Sequence, residues 1–225
     1  ALNEPEIWAV IPAAGSGSRM GTPIKKQFLT LSDGREILAH SLEIFERCPR
    51  IYGIVLVTGS EDILQCQQIL CREGFHKVQK ILPGGKTRQA SVLAGLTALP
   101  ESCDYVAVHD AARPYLTPND LERVLDDAIL YGASLMAVPC KDTIKRADAD
   151  GFVVETPERS SLWNIQTPQV FERCLLLSAH KAAEAHGDSA CTDDGQVVEK
   201  YTAQRVHLCS GSYSNIKITT PEDLA

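Results

Sequence analysis

The run Ile7-Trp8-Ala9-Val10-Ile11-Pro12-Ala13-Ala14-Gly15-Ser16-Gly17-Ser18-Arg19-Met20-Gly21, with Lys25-Lys26-Gln27 just beyond, holds the residues best suited to chemistry. An apolar stretch enters a glycine loop, and fixed cations follow. Gly15 and Gly17 let the backbone turn sharply and offer bare N–H groups at short range. Arg19 and one of the two lysines can neutralise phosphate charge. That order suits a nucleoside triphosphate. The glycines run Gly15-x-Gly17-x-x-x-Gly21, not G-x-G-x-x-G, and no acidic residue closes a strand about 20 residues on. Gly85-Lys86-Thr87 has the tail of a Walker loop, but Lys80 stands where its first glycine belongs. Dinucleotide oxidoreductase and P-loop NTPase chemistries are both disfavoured.

A second loop, Pro83-Gly84-Gly85-Lys86-Thr87-Arg88-Gln89-Ala90-Ser91, sets paired glycines before a helix start. A helix N-terminus offers unpaired N–H groups and partial positive charge, and the glycines let a flat base approach the backbone. An ordinary strand–helix turn would use similar residues. In a third, Val108-His109-Asp110-Ala111-Ala112-Arg113-Pro114, Asp110 closes a strand. There it is placed to help hold Mg²⁺ or to accept from a substrate hydroxyl. His109 reads as a packed or hydrogen-bonded histidine, because a phosphate nucleophile is already an anion and needs little general-base help.

These loops need a scaffold. Strands are expected over residues 8–13, 53–58, 77–82, 105–109 and 135–139, as near-continuous apolar runs. Helices are expected over residues 36–47, 62–73 and 88–99, and from Thr117-Pro118-Asn119-Asp120, a capping pattern, to Tyr131 before Gly132. Apolar strands alternating with helices imply an α/β three-layer fold with a parallel sheet. Ligands gather at the carboxyl ends of such strands, where the first loop and Asp110 lie.

From about Lys141 the rhythm changes. Residues 143–147 and 152–156 flank Asp148-Ala149-Asp150-Gly151 and read as a β-hairpin. This arm, residues 141–160, projects from a single domain spanning residues 1–225. Its apolar Ile144, Phe152, Val153 and Val154 need a surface to cover them, most simply a second copy in a symmetric dimer, the alternative being an arm folded back on its own domain. A helix is expected near residues 170–186, a short one near 194–201, and a strand near 205–209.

The formal net charge of -7 argues against a nonspecific binder of nucleic acid or anionic membrane. No apolar stretch approaches the roughly 20 residues of a membrane span, and no signal peptide is visible. None of the eight cysteines forms a CxxC pair, so a zinc or thioredoxin-like motif is unsupported. They read as buried or half-buried free thiols in a reducing, cytoplasmic setting.

Taken together, the motifs become specific. They are Pro12-Ala13-Ala14-Gly15-x-Gly17-x-Arg19-Met20, Lys26-Gln27-Phe28, Gly84-Gly85-x-x-Arg88-x-x-Ser91-Val92, His109-Asp110-Ala111-Ala112-Arg113-Pro114, Gln166-Thr167-Pro168-Gln169, Thr192-Asp193-Asp194 and Asn215-Ile216-Lys217-Ile218-Thr219. In this order the chain resembles the 2-C-methyl-D-erythritol 4-phosphate cytidylyltransferases over nearly its whole length.

The resemblance implies the Rossmann-like nucleotidyltransferase variant of the α/β class, with a projecting β-hairpin arm that interlocks in a homodimer. It implies transfer from CTP to a polyol phosphate with Mg²⁺ or another divalent cation. Pro12, Ala13, Ala14, Gly15, Gly17, Gly84, Gly85, Lys86, Ser91 and Ala111 would hold CTP, Lys86 through its backbone. Arg19, Lys26 and Lys217 would stabilise the transition state, with Asp110 catalytic and a metal ligand. Arg113, Thr143, Arg159, Thr167 and Thr192 would surround the polyol phosphate, some of them across the dimer. Lys26 is preferred to Lys25 because it directly precedes Gln27-Phe28, which leaves Lys25 as a solvated surface lysine. Ribitol-5-phosphate cytidylyltransferases are the nearest alternative, but their first loop more usually reads Ala-Gly-Gly. A non-catalytic nucleotide-binding protein is disfavoured, since Arg19, Lys26, Asp110 and Lys217 are all present.

Overall fold

The computed structural model describes residues 3–15, 21 and 23–225. Strands β1 (Ile7–Ala13), β2 (Ile51–Thr58), β3 (Val78–Pro83) and β4 (Tyr105–Val108) lie parallel, in the order β3-β2-β1-β4. The sheet continues through β8 (Trp163–Glu172), β5 (Ala133–Pro139) and β9 (His207–Ser210). Two short strands, β6 (Arg146–Ala147) and β7 (Val153–Glu155), pair only with each other.

The strands are apolar on both faces because helices cover both. Ile7, Ala9 and Ile11 face α1 (Ile37–Glu46), α2 (Ile63–Glu73) and α4 (Pro118–Tyr131) through one buried cluster. Val10, Val55, Val57 and Phe171 join α3 (Arg88–Thr97), α5 (Arg173–Ala185) and α6 (Asp194–Tyr201) in the other. This is the expected three-layer arrangement. Thr117 caps α4 as its sequence suggests, its hydroxyl accepting from the Asp120 N–H at 3.1 Å. Gly132 ends the helix at φ 90°, a left-handed conformation that glycine adopts freely.

Four expectations need correction. The segment before α5 is strand, not helix: β8 runs to Glu172, and α5 starts at Arg173. β8 is also antiparallel to both its neighbours, so the sheet is mixed. Its middle, Gln166-Thr167-Pro168-Gln169, is polar yet buried, so it carries no apolar run to read. These side chains bond outward to loops, Gln166 Nε2 donating to the Ser212 carbonyl and Gln169 Nε2 to Asp193 Oδ2. The arm's strands are also shorter than the hairpin pattern suggested, because residues 141–156 are all exposed and little but their own pairing orders them. Of the eight free cysteines, Cys71 and Cys174 are exposed rather than buried or half-buried.

Candidate active site

A cavity of about 230 Å³ opens at the carboxyl ends of β1, β3 and β4. Pro12, Ala13, Ala14 and Gly15 form one wall, Gly85, Lys86 and Ser91 another. Lys26, Lys217, Asp110 and Ala111 complete it, with Gln27, Thr87, Arg88 and Ala112 beside them. Gly17 and Arg19 lie outside the described residues.

Each wall is held by its own short-range bonds. Gln27 is buried, and its Nε2 donates to the Ala13 carbonyl at 2.8 Å. This bond ties the turn carrying Lys26 to the start of the glycine loop. Gly84 donates to the Thr58 carbonyl at 2.7 Å, and the Gly85 N–H donates to Ser91 Oγ at 3.1 Å. Thr87 caps α3, its hydroxyl accepting from the Ala90 N–H. A Cβ on Gly84 would sit 2.6 Å from Ser91 Oγ and 2.7 Å from the Ala14 Cβ. The two loops therefore approach each other only because residue 84 is glycine. Gly84→Ala is expected to cost about 1–3 kcal/mol of stability, as for other overpacked sites, and to raise KM for the nucleotide. Urea unfolding and initial-rate kinetics on the one variant measure both effects.

Among the described residues, three cations surround Asp110. Arg88 reaches its Oδ1 through Nε at 3.3 Å and Nη2 at 3.2 Å. Arg113 Nε and Lys217 Nζ each stand 3.5 Å from Oδ2. Burial alone pushes the carboxyl's pKa up, but Arg88, Lys217 and Arg113 outweigh it and hold the group well below the usual carboxylate range. Asp110 is thus an ionised anchor that aims Lys217 and Arg88.

Behind it, His109 is fully buried, as a packed histidine should be. Its Nε2 lies 3.0 Å from the Arg113 carbonyl and its Nδ1 2.9 Å from Thr167 Oγ1. The carbonyl can only accept, so Nε2 carries the proton and Nδ1 accepts from the Thr167 hydroxyl. Thr167 Oγ1 in turn accepts from the Asp110 N–H at 3.0 Å. Burial keeps the imidazole neutral, its pKa pushed down to about 4. The unfolded imidazole titrates near 6.5, so between those values the unfolded chain holds the extra proton. Stability therefore falls as the pH drops through this window, by ~3 kcal/mol at most. Thermal melts between pH 7 and 4 should show the fall, flattened in His109→Gln. Asp110, with its lowered pKa, adds to the loss only below its ordinary 3.8.

Of the residues expected around the polyol phosphate, Thr167 is buried against Asp110 and outside the cavity wall. Arg113 braces from behind, its Nη1 donating to the Asn215 carbonyl at 2.7 Å and so fixing the segment that presents Lys217. Thr192 is exposed and bonds Gln196. Thr143 and Arg159 are exposed on and beside the arm and line no part of the cavity. Lys25 is not a solvated lysine. It pairs with Glu61, and with Asp62 at 2.6 Å, because the turn at residues 60–62 sets two carboxylates beside it. Two functional groups went unassigned in the sequence, Arg88 and Gln27. Gln27 sits in Lys26-Gln27-Phe28, and Arg88 directly follows the Thr87 cap, which was the available signal.

The arrangement puts cations and a glycine-lined wall around one anchored carboxylate, which suits a polyphosphate. Comparison with known proteins decides which. The family model for 2-C-methyl-D-erythritol 4-phosphate cytidylyltransferase matches residues 7–225. The chain belongs to this family.

The cytidylyltransferase named for Desulforamulus reducens is 48% identical over 219 residues, covering 97% of this chain and 92% of that one. That of Pelotomaculum thermopropionicum is 44% identical, covering 97% and 91%. The solved 4-diphosphocytidyl-2C-methyl-D-erythritol synthase of Anaerococcus prevotii superposes with a TM-score of 0.86 at 33% identity, covering 98% and 93%. The cytidylyltransferase structure from Thermus thermophilus gives 0.76 at 30%, covering 97% and 95%. The cavity brings Pro12, Ala13, Ala14 and Gly15 together with Lys26 and Lys217.

Proposed function

We propose that this chain transfers the cytidylyl group of CTP to 2-C-methyl-D-erythritol 4-phosphate and releases pyrophosphate. The observation that carries the reading is the convergence of the first loop, the Gly85–Ser91 wall, Lys26 and Lys217 on one cavity, in a member of this family. A phosphate oxygen of the polyol attacks the α-phosphorus of CTP in line. The new P–O bond forms as the bond to the β,γ-pyrophosphate breaks, and the electron pair leaves with pyrophosphate. Both partners are anions, so fixed cations must meet their charge and that of the five-coordinate phosphorus. Positioning supplies the rest, and no covalent enzyme intermediate is needed.

A divalent cation, Mg²⁺ in this reading, would be held by Asp110. No group of three or more His, Cys, Asp or Glu able to hold a metal occurs among the described residues. Its other ligands would be triphosphate oxygens and water, as is usual for Mg²⁺ at phosphate sites. When bound it draws off negative charge from the triphosphate.

We further propose a homodimer built through the arm, whose exposed apolar side chains and whose Thr143 and Arg159, away from their own cavity, suit a contribution to a second copy's site. The free thiols support a reducing, cytoplasmic location. The net charge of -7 speaks against nucleic acid or anionic membrane as a partner. No described helix is long and apolar enough to cross a membrane.

Pyrophosphate release with CTP and each of two acceptors tests the reaction. Turnover is expected with methylerythritol phosphate and only background with ribitol 5-phosphate or with ATP, GTP or UTP. Equal turnover with ribitol 5-phosphate would overturn the acceptor assignment, as equal turnover with another nucleotide would overturn CTP.

A further inference from the structure

Arg88 does not serve Asp110 alone. Its Nη1 donates to Asp194 Oδ2 at 3.2 Å while Nε and Nη2 hold Asp110 Oδ1. Asp194 opens α6 and has no exposed surface. Its second oxygen, Oδ1, lies 2.9 Å from Nε2 of His180 on α5, a residue only 1% exposed. A chain of buried polar groups, His180–Asp194–Arg88–Asp110, therefore runs from the α5–α6 layer into the cavity. The reaction described above uses only its last member.

Burying a carboxylate costs free energy unless it is paired and hydrogen-bonded. Asp194 meets that condition with one bond to each side. Arg88 holds it well below the usual carboxylate range against the upward push of burial, with help from the His180 hydrogen bond. The carboxylate can only accept, so His180 presents Nε2–H to it. Among the described residues, His180 Nδ1 is buried without a hydrogen-bond partner, and the sole hydrogen bond of this imidazole is the one to Asp194.

We propose that Asp194 and His180 are positioning residues for nucleotidyl transfer, acting through Arg88 on Asp110. The guanidinium is a rigid planar fork. With one prong fixed to Asp194, the other two set the angle at which Asp110 Oδ1 is gripped, and so the direction in which Oδ2 faces Lys217. Asp194 also supplies a competing anion, which keeps Arg88 seated behind Asp110 when a triphosphate arrives. The inference rests on the cytidylyl-transfer reading, and turnover of the unmodified enzyme tests that reading separately.

The experiment is a double-substitution cycle on Asp194→Asn and Asp110→Asn, read as kcat and KM for CTP. Asp194→Asn keeps volume and removes charge. It is expected to lower kcat by ~10²-fold, the scale of an ångström's misplacement, with KM for CTP within about threefold. Because Asp194 acts through Asp110, the double variant should lose no more than the worse single one. Losses that multiply would mean independent or merely structural roles and would overturn the proposal. His180 gives a second, milder test. Glutamine can still donate from its Nε2, whereas leucine cannot. His180→Gln should keep kcat within about threefold of the unmodified enzyme, and His180→Leu should lose ~10-fold at unchanged KM. Equal kcat in these two variants would overturn the proposal even if Asp194→Asn did not fold.

Discussion

Lys217→Ala is expected to lower kcat by about 10²- to 10³-fold, the scale of a lost transition-state charge contact, and Lys26→Ala by a similar factor. Both side chains line the cavity where the triphosphate would sit. Lys217 contacts Asp110 at 3.5 Å with a side chain 36% exposed, so its resting ion pair is loose and half solvated. Such a pair adds little to stability. Its value lies in meeting charge that develops only when the α-phosphorus becomes five-coordinate. The Lys217→Ala protein should therefore unfold at nearly the same temperature, with Asp110 still held by Arg88 and Arg113. Pyrophosphate release at saturating CTP and acceptor measures kcat, and a thermal melt checks the fold. Near-normal kcat in both variants would sink the mechanism.

The parts of this site that were legible in the sequence share a cause. Glycines at Gly15, Gly84 and Gly85 and the strand-end Asp110 are local necessities, set by backbone approach and by the end of an apolar run. Gly15, Gly85 and Asp110 line one cavity, and Gly84 lies against Ser91 and Ala14. The α/β rhythm was legible for the same reason, because β1, β2 and β4 are buried on both faces. β8 was not. The buried stretch at its middle carries Gln166, Thr167 and Gln169, and these read as strand only once Ser212, Asp110 and Asp193 are in place to bond them. Arg88 and Asp194 were hidden similarly. They lie 106 positions apart and gain their role from a contact no local pattern encodes. Arg113 likewise gains a partner that no local pattern encodes, the Asn215 carbonyl beside the Lys217 segment.

Replacing residues 143–159 by a short Gly-Ser linker is expected to give a monomer with kcat/KM reduced by ~10²-fold or more, the loss that follows when positioning groups are taken from a site. The arm cannot be explained by its own chain. A two-stranded hairpin is at best marginally stable alone, and β6 and β7 pair only with each other. One ion pair, Arg146 to Glu155 at 2.8 Å, spans them at an exposed position, and exposed pairs contribute little. Yet Phe152 is 71%, Val153 61% and Val154 50% exposed. Burying such side chains is worth about 1.5–3 kcal/mol each. A symmetric pair of arms counts every contact twice, which brings the gain to the same order as a cost of association of about 4–15 kcal/mol. Thr143 and Arg159 sit in or beside this segment and away from their own cavity, so the same contact can carry them to the site of a second copy. Sedimentation equilibrium gives the mass and pyrophosphate release the activity. A milder variant, Phe152→Ser with Val154→Ser, should weaken the dimer and restore turnover as protein concentration rises. Activity of the linker variant as a monomer, at the rate of the unmodified enzyme, would refute a shared site, because the cavity would then be complete without the arm.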